Sequence, residues 1–316
     1  MLTPVGVDIS KHKFDVAAWI DGKYKSKAFA NTPAGIEAFV VWVGQFEQPH
    51  VCLEATNVYG EALSYALADG EIRVSVVNPA VIAAFADTEL SRSKTDKGDA
   101  KRIARYCALH RPPLWQPAPR SERELTAMVR RLENLLEMRQ MEQNRLAVAD
   151  VTVQPSIRTL IDVCEQQIKQ LRKQIRQHID DDPDLRQRRD LLDTIPGIGP
   201  ATIPVLLGLL GDPSQFTSAN HCASYAGLTP VTDNSGVRRG ATPLSKRGPA
   251  LLRKALYMPA LVAMKHNPVL RAFAQRLKAR GKAGKEVVCA AMRKLLTIAC
   301  AVLRSGLPFN PNHTLA

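Results

Sequence analysis

The 316-residue chain reads as an α/β layer built on a mixed sheet, followed by an all-α half. Three observations predict this. Residues 4–30 hold three alternating extended runs joined by short turns, and residues 33–86 then alternate helical with extended spacing. Beyond the proline-rich stretch RPPLWQPAP (111–119), apolar residues recur almost only at helical intervals.

Each element has a local reason. PVGVDI (4–9) alternates like a strand, and after the turn SKHK comes FDVAAWI. The turn signal Asp21–Gly22 then leads into a third run, Lys23 to Ala30, which completes a meander. PAGIEAFVVWVGQFE (33–47) has helical spacing with Pro33 at a suitable first position. HVCLEAT (50–56) is a short apolar strand, YGEALSYALADG a helix, RVSVVNP (73–79) a strand and AVIAAFA helical. The prolines of 111–119 cannot continue a helix and mark a linker.

Past the linker, Leu125, Met128, Leu132 and Leu135 form one stripe. Leu160, Cys164, Ile168, Leu171, Ile175 and Ile179 form another, after a break at ADVTVQPS. Two such helices predict an antiparallel, coiled-coil-like hairpin whose narrow seam suits an oligomer contact. In LLDTIPGIGPATIPVLLGLLGD (191–212), two apolar helices flank PGIGP, the helix-hairpin-helix pattern. Gly197 and Gly199 would turn the backbone and offer N–H groups to a phosphate, or would simply join two core helices. The remainder reads as mainly helical except for 228–248. The predicted domains are 1–112, a linker at 113–119, the hairpin at 120–189 and a C-terminal domain at 190–316.

The net charge of +13 is localised. Residues 1–119 are neutral and 120–213 carry −1, whereas 214–316 carry +14, opposed there by Asp233 and Glu286 alone. That is the footprint of a polyanion-binding region, with nucleic acid the expected partner. No apolar run approaches the roughly 18 residues a bilayer needs, so no membrane partner is expected. The start has neither a basic nor an apolar signal segment, which predicts a cytoplasmic protein. The six cysteines are scattered without metal-binding spacing and read as reduced core residues.

SKTDKGDAKRIARY (93–106) sets five cations around Asp96 and Asp99. By itself this is a capping box, with Asp96 as the cap and Asp99 three residues on. Two further carboxylates argue for more. Asp8 sits near the end of the first strand and Glu54 lies inside the apolar VCLEAT, and a carboxylate in a buried strand is costly unless paired or bound to metal. In a ribonuclease H-type sheet the first and fourth strands are neighbours, which would bring Asp8 and Glu54 together, with Asp96 and Asp99 on one face of a later helix. A like-charge pair at 4 Å costs about 1–4 kcal/mol at effective dielectric constants of 80 to 20, so four such groups require metal. Two divalent ions about 4 Å apart suit in-line phosphoryl transfer, and magnesium suits oxygen ligands. Lys94, Lys97, Lys101 and Arg102 could then hold the nucleic-acid backbone.

The order Asp8, Glu54, Asp96, Asp99 resembles the DEDD, RuvC-like domain of the insertion sequence 110 transposase family, Piv-type invertases among them. PGIGPATIPVLLGLLGD, SYAGLTP, NSG and LSKRGPALLRKAL resemble that family's C-terminal transposase domain, so the likeness spans nearly the whole chain. It implies a RuvC-like catalytic domain at 1–112 and a nucleophilic serine in the basic region 214–305. The matching position is Ser235 in TDNSGVRRG, which on spacing alone is a turn serine. Arg238, Arg239, Lys246, Arg247 and Arg253 follow and could clamp a phosphate. Ser245 is the rival, though it reads as a helix-start residue before Pro249.

The resemblance implies a transposase or site-specific recombinase that cleaves and rejoins donor and target DNA through a phosphoserine intermediate. It further implies a structured guide RNA and a homo-oligomer, dimer or tetramer. The alternatives are a junction-resolving nuclease that uses water and an architectural nucleic-acid-binding protein. VGVDISKHKFDVAAWIDG could also be the first phosphate loop of an actin-like ATPase, but this chain has no later glycine-rich nucleotide segment.

Overall fold

The computed structural model describes residues 2–55, 59–88, 96–231 and 244–312. The chain divides into two compact units between Pro117 and Ala118, inside the proline-rich stretch.

In the first unit β1 (Thr3–Ile9), β2 (Lys13–Ile20) and β3 (Lys23–Ala30) form an antiparallel meander. Asp21 and Gly22 take φ of 47° and 78°, the two-residue turn whose twist matches that of the flanking strands. Helix α1 (Pro33–Val43) opens with the Thr32 hydroxyl accepting from the Gly35 N–H. It returns the chain to β4 (Pro49–Glu54), which pairs parallel with β1. Helix α2 (Glu61–Asp69) does the same for β5 (Arg73–Val77), parallel with β4. Helices α3 (Pro79–Thr88) and α4 (Asp96–His110) complete the unit. The strand order β3-β2-β1-β4-β5 is a mixed five-stranded sheet of ribonuclease H-like form.

Strand alternation sorts the two faces of this sheet. Val5, Val7, Phe14, Val16, Val51 and Leu53 pack with Phe39 and Trp42 of α1 and Leu63 and Leu67 of α2. Phe39 meets Phe14 and Phe29 edge to face, both at 5.4 Å. On the opposite face α4 lies directly on β1, because Gly6 has no side chain there. A Cβ at Gly6 would collide with the Ala100 carbonyl oxygen and the Ala104 nitrogen. Cys52 of β4 packs on this side with Ile103 and Cys107.

The second unit is helical. Helices α5 (Arg120–Leu146) and α6 (Gln154–Asp181) pair along buried Leu125, Val129 and Leu135 on one side and Cys164, Ile168, Ile175 and Ile179 on the other. The spacing assigned Leu160 to this seam, yet Leu160 is 51% exposed and Ile161 is buried instead. At 100° per residue Ile161 falls in line with Ile179, within the stripe, whereas Leu160 falls beyond its opposite edge. Leu125, Val129, Ile175 and Ile179 belong to the same core as the helices that follow.

Those helices are α7 (Pro183–Asp193), α8 (Ile203–Leu210), α9 (Ala219–Tyr225), α10 (Ala250–His266), α11 (Pro268–Ala279) and α12 (Gly284–Ser305). The last is the central pillar of this core, burying Val287, Ala291, Leu295, Ile298 and Val302 among others. Within this core Arg188 of α7 donates to buried Glu122 of α5 at 2.5 Å and to the Gly211 carbonyl at 3.1 Å. The Cys222 sulfur of α9 and the Cys300 sulfur of α12 lie against each other in this core. Their separation of 78 residues hides from the sequence that α9 packs on α12. Among the described residues no helix is long and apolar enough to cross a membrane.

Candidate active site and nucleic-acid interface

The register of the first sheet sets the geometry. Val7 of β1 is opposite Leu53 of β4 in the parallel ladder, so Asp8, last but one in β1, and Glu54, last in β4, lie side by side near the ends of adjacent strands. Both lie on the face that Gly6 and Cys52 share with α4, two residues along each strand. Both are half-buried.

Helix α4 runs antiparallel to these strands. Ala100 and Ala104 lie against Gly6, and the Cys107 thiol donates to the His50 carbonyl at 3.4 Å, near the strand starts. The N-terminal turn of α4 therefore extends toward the ends that carry Asp8 and Glu54. Two strand residues span about 6.6 Å and four helical residues about 6 Å, so Asp99 comes level with Asp8. Asp96 is the first residue of α4; its side chain and that of Lys97 lie outside the described residues, as does Lys94. Asp99 is half-buried and paired with Arg102. Arg102 is thereby committed to its own helix, while the Lys101 ammonium sits 5.6 Å from the Tyr24 ring of β3.

Among the described residues no three His, Cys, Asp or Glu side chains form a metal-binding group. Asp8, Glu54 and Asp99 offer carboxylate oxygens, the chemistry that suits a hard divalent ion. Beneath them Cys52 is fully buried, and its contact with Cys107 together with burial pushes the Cys52 thiol up. A protonated, inaccessible thiol is neither ligand nor nucleophile.

One carboxylate escaped the sequence reading. Asp15 of β2 is directly opposite Asp8 in the antiparallel register and is only 5% exposed. It accepts from the Lys13 ammonium at 2.8 Å. The signal was present in KHKFDV, where alternation sets Lys13 and Asp15 on one face, but the register with Asp8 is a property of the turn.

In the second unit Ser235, Arg238 and Arg239 lie outside the described residues. The two ends of their segment are held together. Pro230 and Leu244 form an antiparallel bridge, and Ser245 N–H donates to the Thr229 carbonyl at 2.9 Å. Ser245 is therefore part of this closure and not a helix start; α10 is capped at Pro249, where the missing N–H costs nothing. Lys246 and Arg247 are exposed at the base of the segment. Arg253 instead donates to the carbonyls of Ala226 at 3.1 Å and Gly248 at 3.0 Å, which pins that base. Gly227 and Gly248 take φ of 68° and 125° there, as the crossing of the two chain segments requires.

Gly197 has φ of 106°, and a Cβ there would press on Ala263 of α10, so its glycine is demanded by packing. Gly199 faces open space, and its carbonyl accepts from the Thr202 and Ile203 N–H groups at the start of α8. The sequence reading also passed over the corner between α11 and α12. Arg276, Lys278, Arg280 and Lys285 are all exposed there, without a carboxylate partner among the described residues.

Two family models match the chain: DEDD transposases of the IS110 type over residues 5–149, and the IS116/IS110/IS902 transposase family over residues 189–275. The pilin gene-inverting proteins of Moraxella lacunata and Moraxella bovis are each 38% identical over 314 residues, 98% of both chains. An uncharacterized 43.6 kDa protein of insertion element IS110 from Streptomyces coelicolor is 31% identical over 157 residues, 50% of this chain and 38% of that one. A DEDD transposase family acts on DNA and depends in general on divalent metal. With a half-buried carboxylate row on a ribonuclease H-like sheet and these full-length relatives, the chain belongs to the IS110 family of transposases and recombinases and is a DNA recombinase enzyme.

Proposed function

We propose that this enzyme inverts or transposes DNA by breaking and rejoining strands through a covalent phosphoserine, with Asp8, Glu54, Asp96 and Asp99 holding two magnesium ions. The observation that carries the reading is the adjacency of Asp8 and Glu54 at neighbouring strand ends, under the N-terminal turn of α4. Bound metal would neutralise the carboxylates and polarise the phosphodiester oxygens.

The protein's own groups do the rest. Ser235 supplies the nucleophile: its Oγ forms the new P–O bond, its proton leaves to a basic oxygen, and the sugar hydroxyl on the far side of the break departs. Attack by another strand's hydroxyl reverses this, so rejoining needs no external energy. Arg238, Arg239, Lys246 and Arg247 bind the phosphate oxygens on which charge develops. Arg253 positions that loop by fixing its base. Lys94, Lys97 and Lys101 hold the backbone near the carboxylates. The PGIGP turn offers the Gly199 side as a phosphate contact, in the manner of a helix-hairpin-helix.

The α5–α6 pair serves as a coiled-coil arm for assembling a dimer or tetramer. Its outer half exposes Met138, Met141, Val148, Val151 and Val163, apolar surface that a second copy would cover. Such an assembly lets Ser235 of one protomer reach the carboxylates of another. The cationic last third also suits a structured guide RNA that selects donor and target. The rival reading, a junction-resolving nuclease, uses water in place of Ser235 and stops at cleavage.

The deciding experiment traps the reaction on a nicked substrate under denaturing conditions. DNA should remain attached to the Ser235 peptide, and Ser235→Ala should lose the adduct while still binding DNA, because phosphate charge dominates the contact. Strand exchange at the normal rate by Ser235→Ala would sink the proposal.

A further inference from the structure

Lys13 and Asp15 form a charge pair that neither the family match nor the carboxylate tetrad accounts for. The α4-facing surface of β1 and β2 consists of successive rows. Gly6 opposite Ala17 lies under α4; Asp8 opposite Asp15 comes next; Ser10 and Lys13 close the hairpin beyond them. Carboxylates directly opposite on antiparallel strands repel, so a sheet that needed Asp8 alone would not place Asp15 beside it. Asp15 is buried and therefore requires a partner. Lys13 supplies it at 2.8 Å. The Lys13 side chain nonetheless remains 50% exposed, so its ammonium stands at the solvent rim of the Asp8 row.

The backbone under Lys13 is fixed as well. The Ser10 hydroxyl donates to the Lys13 carbonyl at 2.7 Å. Asn31 donates through its backbone to His12 at 2.9 Å and through its side chain to the Ser10 carbonyl at 3.0 Å. A lysine held in one place loses rotamer freedom that an ordinary surface lysine keeps. A preorganised cation at the edge of an anionic, metal-binding row is suited to a group that must approach that row carrying negative charge.

We propose that Lys13 is a catalytic residue that contacts a non-bridging oxygen of the scissile phosphodiester, with Asp15 and Asn31 as its positioning residues. The assignment rests on the carboxylate site described above. Lys13 has two effects of opposite sign. It attracts the phosphate, and it would repel divalent ions held by the neighbouring carboxylates.

The test exploits those opposite signs. In the full-length protein, Lys13→Met should slow strand cleavage roughly a hundredfold, the loss expected for one transition-state donor. The same variant, titrated calorimetrically with magnesium alone, should bind the metal roughly tenfold more tightly, since a neighbouring positive charge is gone. Lys13→Arg should restore the wild-type metal affinity and part of the rate. A merely structural lysine would not tighten metal binding, so unchanged magnesium affinity or an unchanged cleavage rate in Lys13→Met overturns the assignment. Asp8→Asn is run beside it. If Asp8→Asn cleaves normally, the carboxylate site itself is wrong; if it is dead while Lys13→Met behaves as wild type, only the role of Lys13 falls.

Discussion

The two units hold their functional groups in different ways. In the first, Asp8, Glu54 and Asp15 are on strands, so a hydrogen-bonded register fixes each against the next, and Gly6 sets the height of α4 above them. In the second, the segment bearing Ser235 springs from two chain ends joined at Pro230 and Leu244, on a base tied by Arg253. A register tolerates no one-residue slip, whereas the bridge between Pro230 and Leu244 fixes only the two ends of the segment it closes. Under the proposed mechanism this is a division of labour between a metal-binding row and a nucleophile on a segment closed at its base.

The largest effects should come from the rigid row. Asp8→Asn or Glu54→Gln should abolish cleavage while far-ultraviolet dichroism and thermal midpoint stay close to wild type. Cleavage undiminished in EDTA would break the comparison at its root. Gly6→Ala tests the row's architecture: its methyl group would meet backbone atoms of α4, which cannot rotate away. A loss of about 3 kcal/mol or more is expected for the first unit, at or beyond the upper end of overpacking. A neutral outcome, measured by denaturant unfolding, would mean that α4 is not seated on β1.

The same contrast explains what was legible in the sequence. A carboxylate inside an apolar strand is expensive, so Asp8 and Glu54 announced themselves, and short turns made the meander readable. Asp15 did not, because its meaning depends on which residue of β1 faces it. Ser235, in the short run Asn-Ser-Gly, carries no such signature, and its candidacy rests on family resemblance alone. Leu160 misled because spacing defines a stripe but not its edges, and the Cys222–Cys300 contact depends on tertiary packing.

A smaller effect should separate the cations that bind from those that build. Replacing Lys246 and Arg247 by alanine, or Arg276, Arg280 and Lys285 at the α11–α12 corner, should leave folding intact. Each set should make the fall of log affinity with log salt shallower by up to about 0.9 per lost phosphate contact. Arg253→Ala should instead lower stability by about 1–3 kcal/mol, by leaving carbonyls unpaired, with little change in the salt slope. An unchanged slope in both multiple variants would move the polyanion footprint elsewhere on the protein.

The smallest effect concerns the helix starts. In the first unit α1 is capped by the neutral Thr32 hydroxyl; in the second, α7 is capped by the Asp182 carboxylate, which accepts from the Asp184 and Leu185 N–H groups, both at 2.9 Å. The Leu185 N–H, with help from Ser121, Asp184 and Arg188, holds the Asp182 carboxyl below its ordinary value of 3.8. A carboxylate whose folded-state pKa is depressed adds stability that is fully present above its unfolded pKa. That stability is lost as pH falls through the folded value. Protection of the Leu185 amide against hydrogen exchange should therefore weaken below about pH 4, the ordinary carboxylate range, while the Gly35 amide under Thr32 keeps its protection. Asp182→Asn retains an acceptor and should hold α7 with no such acid dependence, whereas Asp182→Ala should cost about 0.5–2 kcal/mol at neutral pH. Equal acid sensitivity at both caps would show that the loss is global unfolding, and the local contrast between the two units would then be absent at their helix ends.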